Sequence, residues 1–178
     1  MEEVHSKVLI KRPTFTTLGN CHAVFINNKL VLLIGPHWPF MFCVIPMIIA
    51  VLVGYLTLIA EHMEVVWQFG GVCIILLALV SYSTTALKDP GVVLSDSTND
   101  LDEDTTGSTS LCRHCLIFKD NETEHCEDCG LCMRGLDHHC IFTGKCIAEK
   151  NIFCFYTMLT SIFGFFIYTM LFLSEKFE

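Results

Sequence analysis

The sequence predicts an all-α polytopic membrane protein: three transmembrane helices, with a cytosolic cysteine-rich domain between the second and the third. Three observations carry that prediction. The chain has 178 residues, 52% of them hydrophobic and only 17% charged, with a mean hydropathy of +0.53; soluble domains carry about 25% charged residues. The apolar residues gather into three long blocks. Seven of the eleven cysteines fall between Cys112 and Cys146, in the gap between the second and third blocks. This pattern excludes an ordinary soluble domain, a disordered chain and a collagen-like one. The odd cysteine count and the polar start, MEEVHSKVLIKRPTF, argue against a secreted disulfide scaffold. A net charge of −8 with no basic face argues against nucleic acid as a partner.

Residues 1–38 form a polar to mixed N-terminal segment. The first apolar block, Pro39 to Ala60, and the second, Val65 to Ala86, make a transmembrane hairpin over 39–86 with a short turn near 61–64. The third runs from Ile152 to Leu173 without a charge. Each has about 20 residues, enough to cross a hydrocarbon core of about 30 Å. Pro46, Gly54, Gly70, Gly71 and Gly164 are tolerated in such helices. Lys7, Lys11, Arg12 and Lys29 precede the first span, and Lys88, Arg113, Lys119, Arg134, Lys145 and Lys150 lie between the second and third. The short turn has neither Lys nor Arg, and the tail, 174–178, has only Lys176. An excess of Lys and Arg marks the cytosolic side, so the N-terminus and the large loop face the cytosol and the turn and tail face the lumen. Residues 87–111 read as a flexible linker, acidic from Asp96 to Asp104.

Residues 112–151 hold the chemistry. The spacing is Cys112-x2-Cys115, nine residues, His125-Cys126-x2-Cys129-x2-Cys132, four residues, Asp137-His138-His139-Cys140, five residues, Cys146. In the reducing cytosol these are thiols. Two cysteines two residues apart can take adjacent corners of a tetrahedron, and zinc wants four such donors. Two closed sites of three Cys and one His use six of the seven cysteines. Stoichiometry alone leaves open which one is spare. So polar a loop has too little apolar content for a core of its own, and metal binding would supply its folding free energy. The zinc ions would then be structural.

The string Asp137-His138-His139-Cys140, set in this frame between two spans, resembles the DHHC-type protein S-acyltransferases (palmitoyltransferases). Asp89-Pro90-Gly91 after the second span looks like the family's Asp-Pro-Gly element, and Asn151 and Phe155 match its Asn and Phe at the start of the third span. The resemblance implies a first zinc site at Cys112, Cys115, His125 and Cys132 and a second at Cys126, Cys129, His139 and Cys146. The spare cysteine is then Cys140, the family's nucleophile, with His138 as base and Asp137 orienting it. An imidazole beside a thiol can take its proton, and a carboxylate on the other ring nitrogen sets the tautomer. The implied activity is protein-cysteine S-palmitoyltransferase: Cys140 takes a long-chain acyl group from acyl-CoA (palmitoyl-CoA) and passes it to a cysteine of a substrate protein. The implied cofactors are two structural zinc ions. The implied partners are the lipid bilayer and membrane-associated proteins with cytosolic cysteines, in the endomembrane system (endoplasmic reticulum or Golgi).

The chain also departs from the family. After the tetrapeptide the family usually has Pro-Trp-x-Asn-Asn-Cys-x-Gly, where this chain has Ile141-Phe142-Thr143-Gly144-Lys145-Cys146-Ile147-Ala148. Loss of the Pro and Trp is expected to alter packing beside Cys140, and loss of the Asn pair to remove hydrogen bonds that brace the loop. Asp120 and Glu122 stand where the family commonly has Pro and Arg. The family has a fourth span and a Thr-Thr-x-Glu element, so a chain with three spans is expected to be a truncated isoform or fragment, or a divergent form completed by homo- or hetero-oligomerisation. The alternative function is a zinc-bearing membrane adaptor without catalysis. Cys43 and Cys73 read as packing residues inside spans, Cys154 and Cys21 as packing residues before acylation targets, and Trp38 and Trp67 as interfacial aromatics.

Overall fold

The computed structural model describes residues 12–60, 63–94 and 110–176. The acidic run from Asp96 to Asp104, Phe177 and Glu178 of the tail, and Glu61 and His62 of the turn lie outside the described residues.

Among the described residues, three helices are long and apolar enough to cross a membrane: Trp38–Ile59, Val65–Leu87 and Ile152–Ser174. The first is composite. A 3-10 turn, Trp38–Phe40, leads into α1 (Met41–Gly54), and a π-helical turn, Tyr55–Ile59, ends it. Pro46 sits inside α1, where its missing N–H leaves a backbone carbonyl without its usual partner. The other two are α2 (Val65–Leu87) and α3 (Ile152–Lys176). Large apolar side chains point outward along all three: Phe42, Leu58, Val66, Phe69, Phe153 and Phe163 are exposed. In water so broad an apolar surface would aggregate; in lipid it is ordinary. Tyr55 of the π turn ties α1 to α2 by donating to Trp67 O at 3.1 Å. A Cβ on Gly71 would lie 2.3 Å from the Tyr55 hydroxyl, so this approach needs a glycine. Tyr168 of α3 also bonds Trp67 O, joining all three helices at one end.

The protein is not all-α, which corrects the expected fold class. Among the described residues, nine short strands form four antiparallel sheets. The N-terminal segment, for which the sequence suggested no element, is a three-stranded meander of β1 (Phe15–Leu18), β2 (Cys21–Ile26) and β3 (Lys29–Ile34). The signals for it are present: Cys21, Ala23 and Phe25 alternate into the interior, and Asn27-Asn28 closes β2–β3 with φ of 51° and 62°. Two positive φ values in a two-residue loop match the twist of the flanking strands, and Asn tolerates them.

The other six strands are three hairpins within the cysteine-rich region: β4 (Ser110–Cys112) with β5 (Ile117–Lys119), β6 (Thr123–Cys126) with β7 (Leu131–Arg134), and β8 (His138–Cys140) with β9 (Lys145–Ile147). Such strands escape sequence reading because Cys and His, rather than alternating apolar residues, occupy them. A small buried cluster of Cys112, Ile117 and Cys132 lies within the region itself. Its Leu131, Met133 and Ala148, with Val92 of the preceding segment, share a larger apolar cluster with Cys21, Ala23, Phe25 and Leu33 of the N-terminal sheet. The sheet therefore lies on the same side of the helices as the cysteine-rich region.

Candidate active site and metal centres

The strand alternation of the β6–β7 hairpin organises two donor clusters. Successive side chains of a strand point to opposite faces, so adjacent His125 and Cys126 part company. His125 and Cys132, partners across the hairpin, join Cys112 and Cys115. Cys126 and Cys129 join His139 and Cys146, themselves partners across β8–β9. In each group of four, the donor atoms all lie within 4.8 Å of one another. The Cys-x2-Cys pairs sit in hairpin turns, where Cys115 N donates to Cys112 Sγ and Cys129 N to Cys126 Sγ, both at 3.5 Å.

Both groups could hold a metal ion, and the donor chemistry fits zinc. Zn–S bonds of about 2.3 Å in a tetrahedron set donors roughly 3.8 Å apart. Cys115 Sγ and Cys132 Sγ lie 3.3 and 3.8 Å from His125 Nδ1. Around His139 Nδ1, the sulfurs of Cys126, Cys129 and Cys146 lie at 3.4, 3.5 and 3.6 Å. Burial pushes the thiols of Cys115, Cys126 and Cys132 above their usual value. Cys146 is pushed up chiefly by the hydrogen bond it shares with Cys129, whose own thiol is pushed down by the same bond. Three thiolates packed this closely coexist only with a cation among them.

Cys140 belongs to neither group. In β8, His138 and Cys140 share the face opposite His139. His138 Nδ1 lies 2.7 Å from Asp137 Oδ2, leaving Nε2 as its other ring nitrogen, and its ring meets Phe155 edge-on at 5.3 Å. Both His138 and Cys140 line an apolar cavity of about 470 Å³ that runs between the helices, walled by Ile48, Tyr82, Met158 and Ile162 among others.

The elements around this site are joined by buried hydrogen bonds. Asp89 Oδ1 accepts from Gly91 N and Val92 N at 2.9 Å, and its Oδ2 pairs with Lys150 Nζ at 2.8 Å. Gly91 holds φ 121° and accepts from Arg134 N, so the Asp-Pro-Gly turn clips the end of α2 to β7. Asn151, fully buried, accepts from Ala148 N at 2.8 Å and donates to Thr85 O and Cys146 O at 3.2 and 3.1 Å. One amide thus joins α2, β9 and the start of α3.

The loop after Cys140 is braced, against the expectation drawn from its lost Asn pair. Thr143 Oγ1 donates to Cys140 O or Lys145 O, each at 3.3 Å. Lys145 is fully buried. Its Nζ donates to Leu33 O at 2.7 Å and to Lys88 O, tying the loop to β3 and α2. Burial pushes this ammonium down to about 7, with Asp89 and nearby thiols opposing; even a neutral amine keeps an N–H for each carbonyl. Tyr82 OH adds a bond to Phe142 O at 2.8 Å. Spacing offers no signal for Lys145 or Tyr82, because both act on backbone brought near only by folding.

Two interleaved three-thiol, one-imidazole clusters thus lie close to a spare cysteine, an Asp–His pair and an apolar cavity. The family model described as DHHC palmitoyltransferase matches residues 105–177. The chain is 32% identical over 100 residues to "Palmitoyltransferase ZDHHC7" of Rattus norvegicus, covering 51% of this chain and 32% of that protein. It is 28% identical over 120 residues to "Palmitoyltransferase ZDHHC18-B" of Danio rerio, covering 52% and 31%. It is 26% identical over 126 residues to "Probable protein S-acyltransferase 12" of Arabidopsis thaliana, covering 61% and 42%. The chain thus spans about a third of the length of the first two of these relatives. Residues 105–177 are thus similar to the DHHC palmitoyltransferases.

Proposed function

We propose that the protein is an S-acyltransferase that moves a long-chain acyl group, such as palmitoyl, from acyl-CoA to cysteines of membrane-associated proteins. The observation that carries this reading is the position of Cys140: outside both four-donor groups, beside the Asp137–His138 pair, on the wall of an apolar cavity. In this reading His138 takes the proton of Cys140, and Asp137 holds His138 Nδ1 so that Nε2 is the nitrogen that receives it. The Cys140 thiolate attacks the thioester carbonyl, the C–S bond to CoA breaks, and the CoA thiolate leaves with the proton from His138. The S-acyl Cys140 is then attacked by the substrate cysteine, whose proton passes to His138 and on to the departing Cys140 sulfur. One thioester is exchanged for another at each step, so no redox or nucleotide energy is needed. The alkyl chain lies in the cavity, where each buried methylene contributes about 0.8 kcal/mol.

Zinc at Cys112, Cys115, His125 and Cys132, and at Cys126, Cys129, His139 and Cys146, supplies structure when bound. The region they frame, residues 112–151, faces the cytosol together with residues 1–38, as the Lys and Arg distribution supports. The protein then resides in an endomembrane bilayer.

The test is labelling of the purified protein with a radioactive or clickable palmitoyl-CoA. Wild type is expected to form a hydroxylamine-sensitive adduct that Cys140→Ser abolishes, with zinc content unchanged. Equal labelling of both overturns the role of Cys140, and absence of labelling in zinc-loaded wild type overturns the activity.

A further inference from the structure

We propose that His37, carried by the link between the N-terminal sheet and the first membrane helix, is the outer hydrogen-bond partner of the second metal centre. It positions His139 and, through it, the strand that bears His138 and Cys140. The proposal rests on reading Cys126, Cys129, His139 and Cys146 as a zinc site.

His139 turns Nδ1 toward the three sulfurs, 3.4 to 3.6 Å away. Its other ring nitrogen, Nε2, lies 2.9 Å from His37 Nδ1. A ring whose Nδ1 lone pair faces a metal keeps its proton on Nε2. His139 therefore donates and His37 accepts, which sets the His37 proton on its own Nε2. The rings meet edge-on at 72° with centroids 5.0 Å apart, so the contact fixes the plane of the His139 ring. The His139 side chain is only 10% exposed, and little water can reach it to replace the bond. The neighbouring carboxylate, Asp128, approaches Nδ1 at 4.0 Å, on the sulfur side, and does not compete for Nε2.

His37 is delivered by a close backbone contact. A Cβ on Gly35 would fall 2.0 Å from Gly144 O, and His37 N donates to that same oxygen at 3.2 Å. The link from β3 to α1 is thus pressed against the β8–β9 turn. In the first cluster the corresponding imidazole, His125, instead stacks on His114 at 4.7 Å. The two centres therefore differ in their outer support, and the first serves as an internal control. Outer partners of a ligating histidine are worth about 10–100-fold in metal affinity. Nothing in the Cys and His spacing draws attention to a residue 102 positions from its partner.

The full chain in detergent micelles tests this by zinc release to a chromophoric chelator and by NMR of the cadmium-loaded protein. In His37→Leu, one metal is expected to leave about 10–100-fold faster while the other keeps its wild-type rate. One cadmium resonance is expected to shift and the other to stay. His37→Asn, whose side-chain carbonyl can accept the same bond, is expected to restore both. Wild-type release and an unchanged cadmium spectrum in His37→Leu overturn the proposal. If His37→Leu does not fold, His37→Asn decides: retention of both metals at wild-type rates bears it out, and faster loss from the second centre overturns it. If Cys129→Ala leaves the zinc content of the otherwise wild-type chain unchanged, the zinc reading itself falls, and the His37 proposal with it.

Discussion

At the scale of single residues, Lys145 and Leu116 carry the clearest physical signatures. The carbonyls of Leu33 and Lys88 converge on Lys145 Nζ. Replacing Lys145 with Met keeps the volume and removes both donors. A buried carbonyl left without a donor costs about 1–3 kcal/mol, so Lys145→Met is expected to lower thermal stability, read as an earlier unfolding transition in a micelle-based melt. An unchanged transition would show that other groups or water satisfy those carbonyls. Leu116 follows the second cysteine of its Cys-x2-Cys pair with φ 55°, where the matching turn uses Gly130 at φ 65°. A bulky side chain is strained in that region, and Leu116 is 76% exposed, so it recovers little by packing. Leu116→Gly is expected to stabilise the first hairpin by about 1 kcal/mol, seen as slower release of its metal.

At the scale of elements, strand alternation does most of the sorting. In β6 it sends His125 and Cys126 to different clusters, and in β8 it sets His139 against His138 and Cys140. This separates the consequences of losing two cysteines eleven positions apart in one loop. Cys129 is fully buried among the second group of donors, whereas Cys140 is half-buried on the cavity wall. Cys129→Ala is expected to lower bound zinc and loosen the β6–β7 hairpin. Cys140→Ala is expected to leave about two zinc ions per chain. Metal analysis of the two purified variants distinguishes them, and equal loss in both would assign Cys140 to a metal site.

At the scale of the whole molecule, the N-terminal sheet, the hairpins and the helix ends form one connected body. Phe25 sits 2% exposed in the cluster that the sheet shares with the cysteine-rich region. Phe25→Ala is expected to cost about 3–5 kcal/mol and to open both regions to limited proteolysis together. Phe153→Ala is the control: that ring is 79% exposed at the start of α3, and its loss is expected to leave proteolysis unchanged. Cleavage confined to the sheet in Phe25→Ala would show that the two regions are independent.

The grouping of the eight Cys and His donors and the identity of the spare cysteine rested on the family resemblance, whereas the sequence by itself determined the three apolar helices and a loop with enough donors for two four-ligand sites and one cysteine over. These follow from length, hydropathy and local spacing, which act between near neighbours along the chain. It also held the β2–β3 turn in Asn27-Asn28 and the alternation at Cys21, Ala23 and Phe25, signals weaker than the apolar blocks around them. Only the tertiary structure decided that the N-terminal sheet covers the cysteine-rich region, that Lys145 replaces the bracing of a lost Asn pair, and that His37 meets His139. Each of these joins groups about 60 to 110 residues apart, often through backbone carbonyls that are identical at every position. No spacing rule can announce such contacts, because the partners become neighbours only once the chain has closed around its shared core.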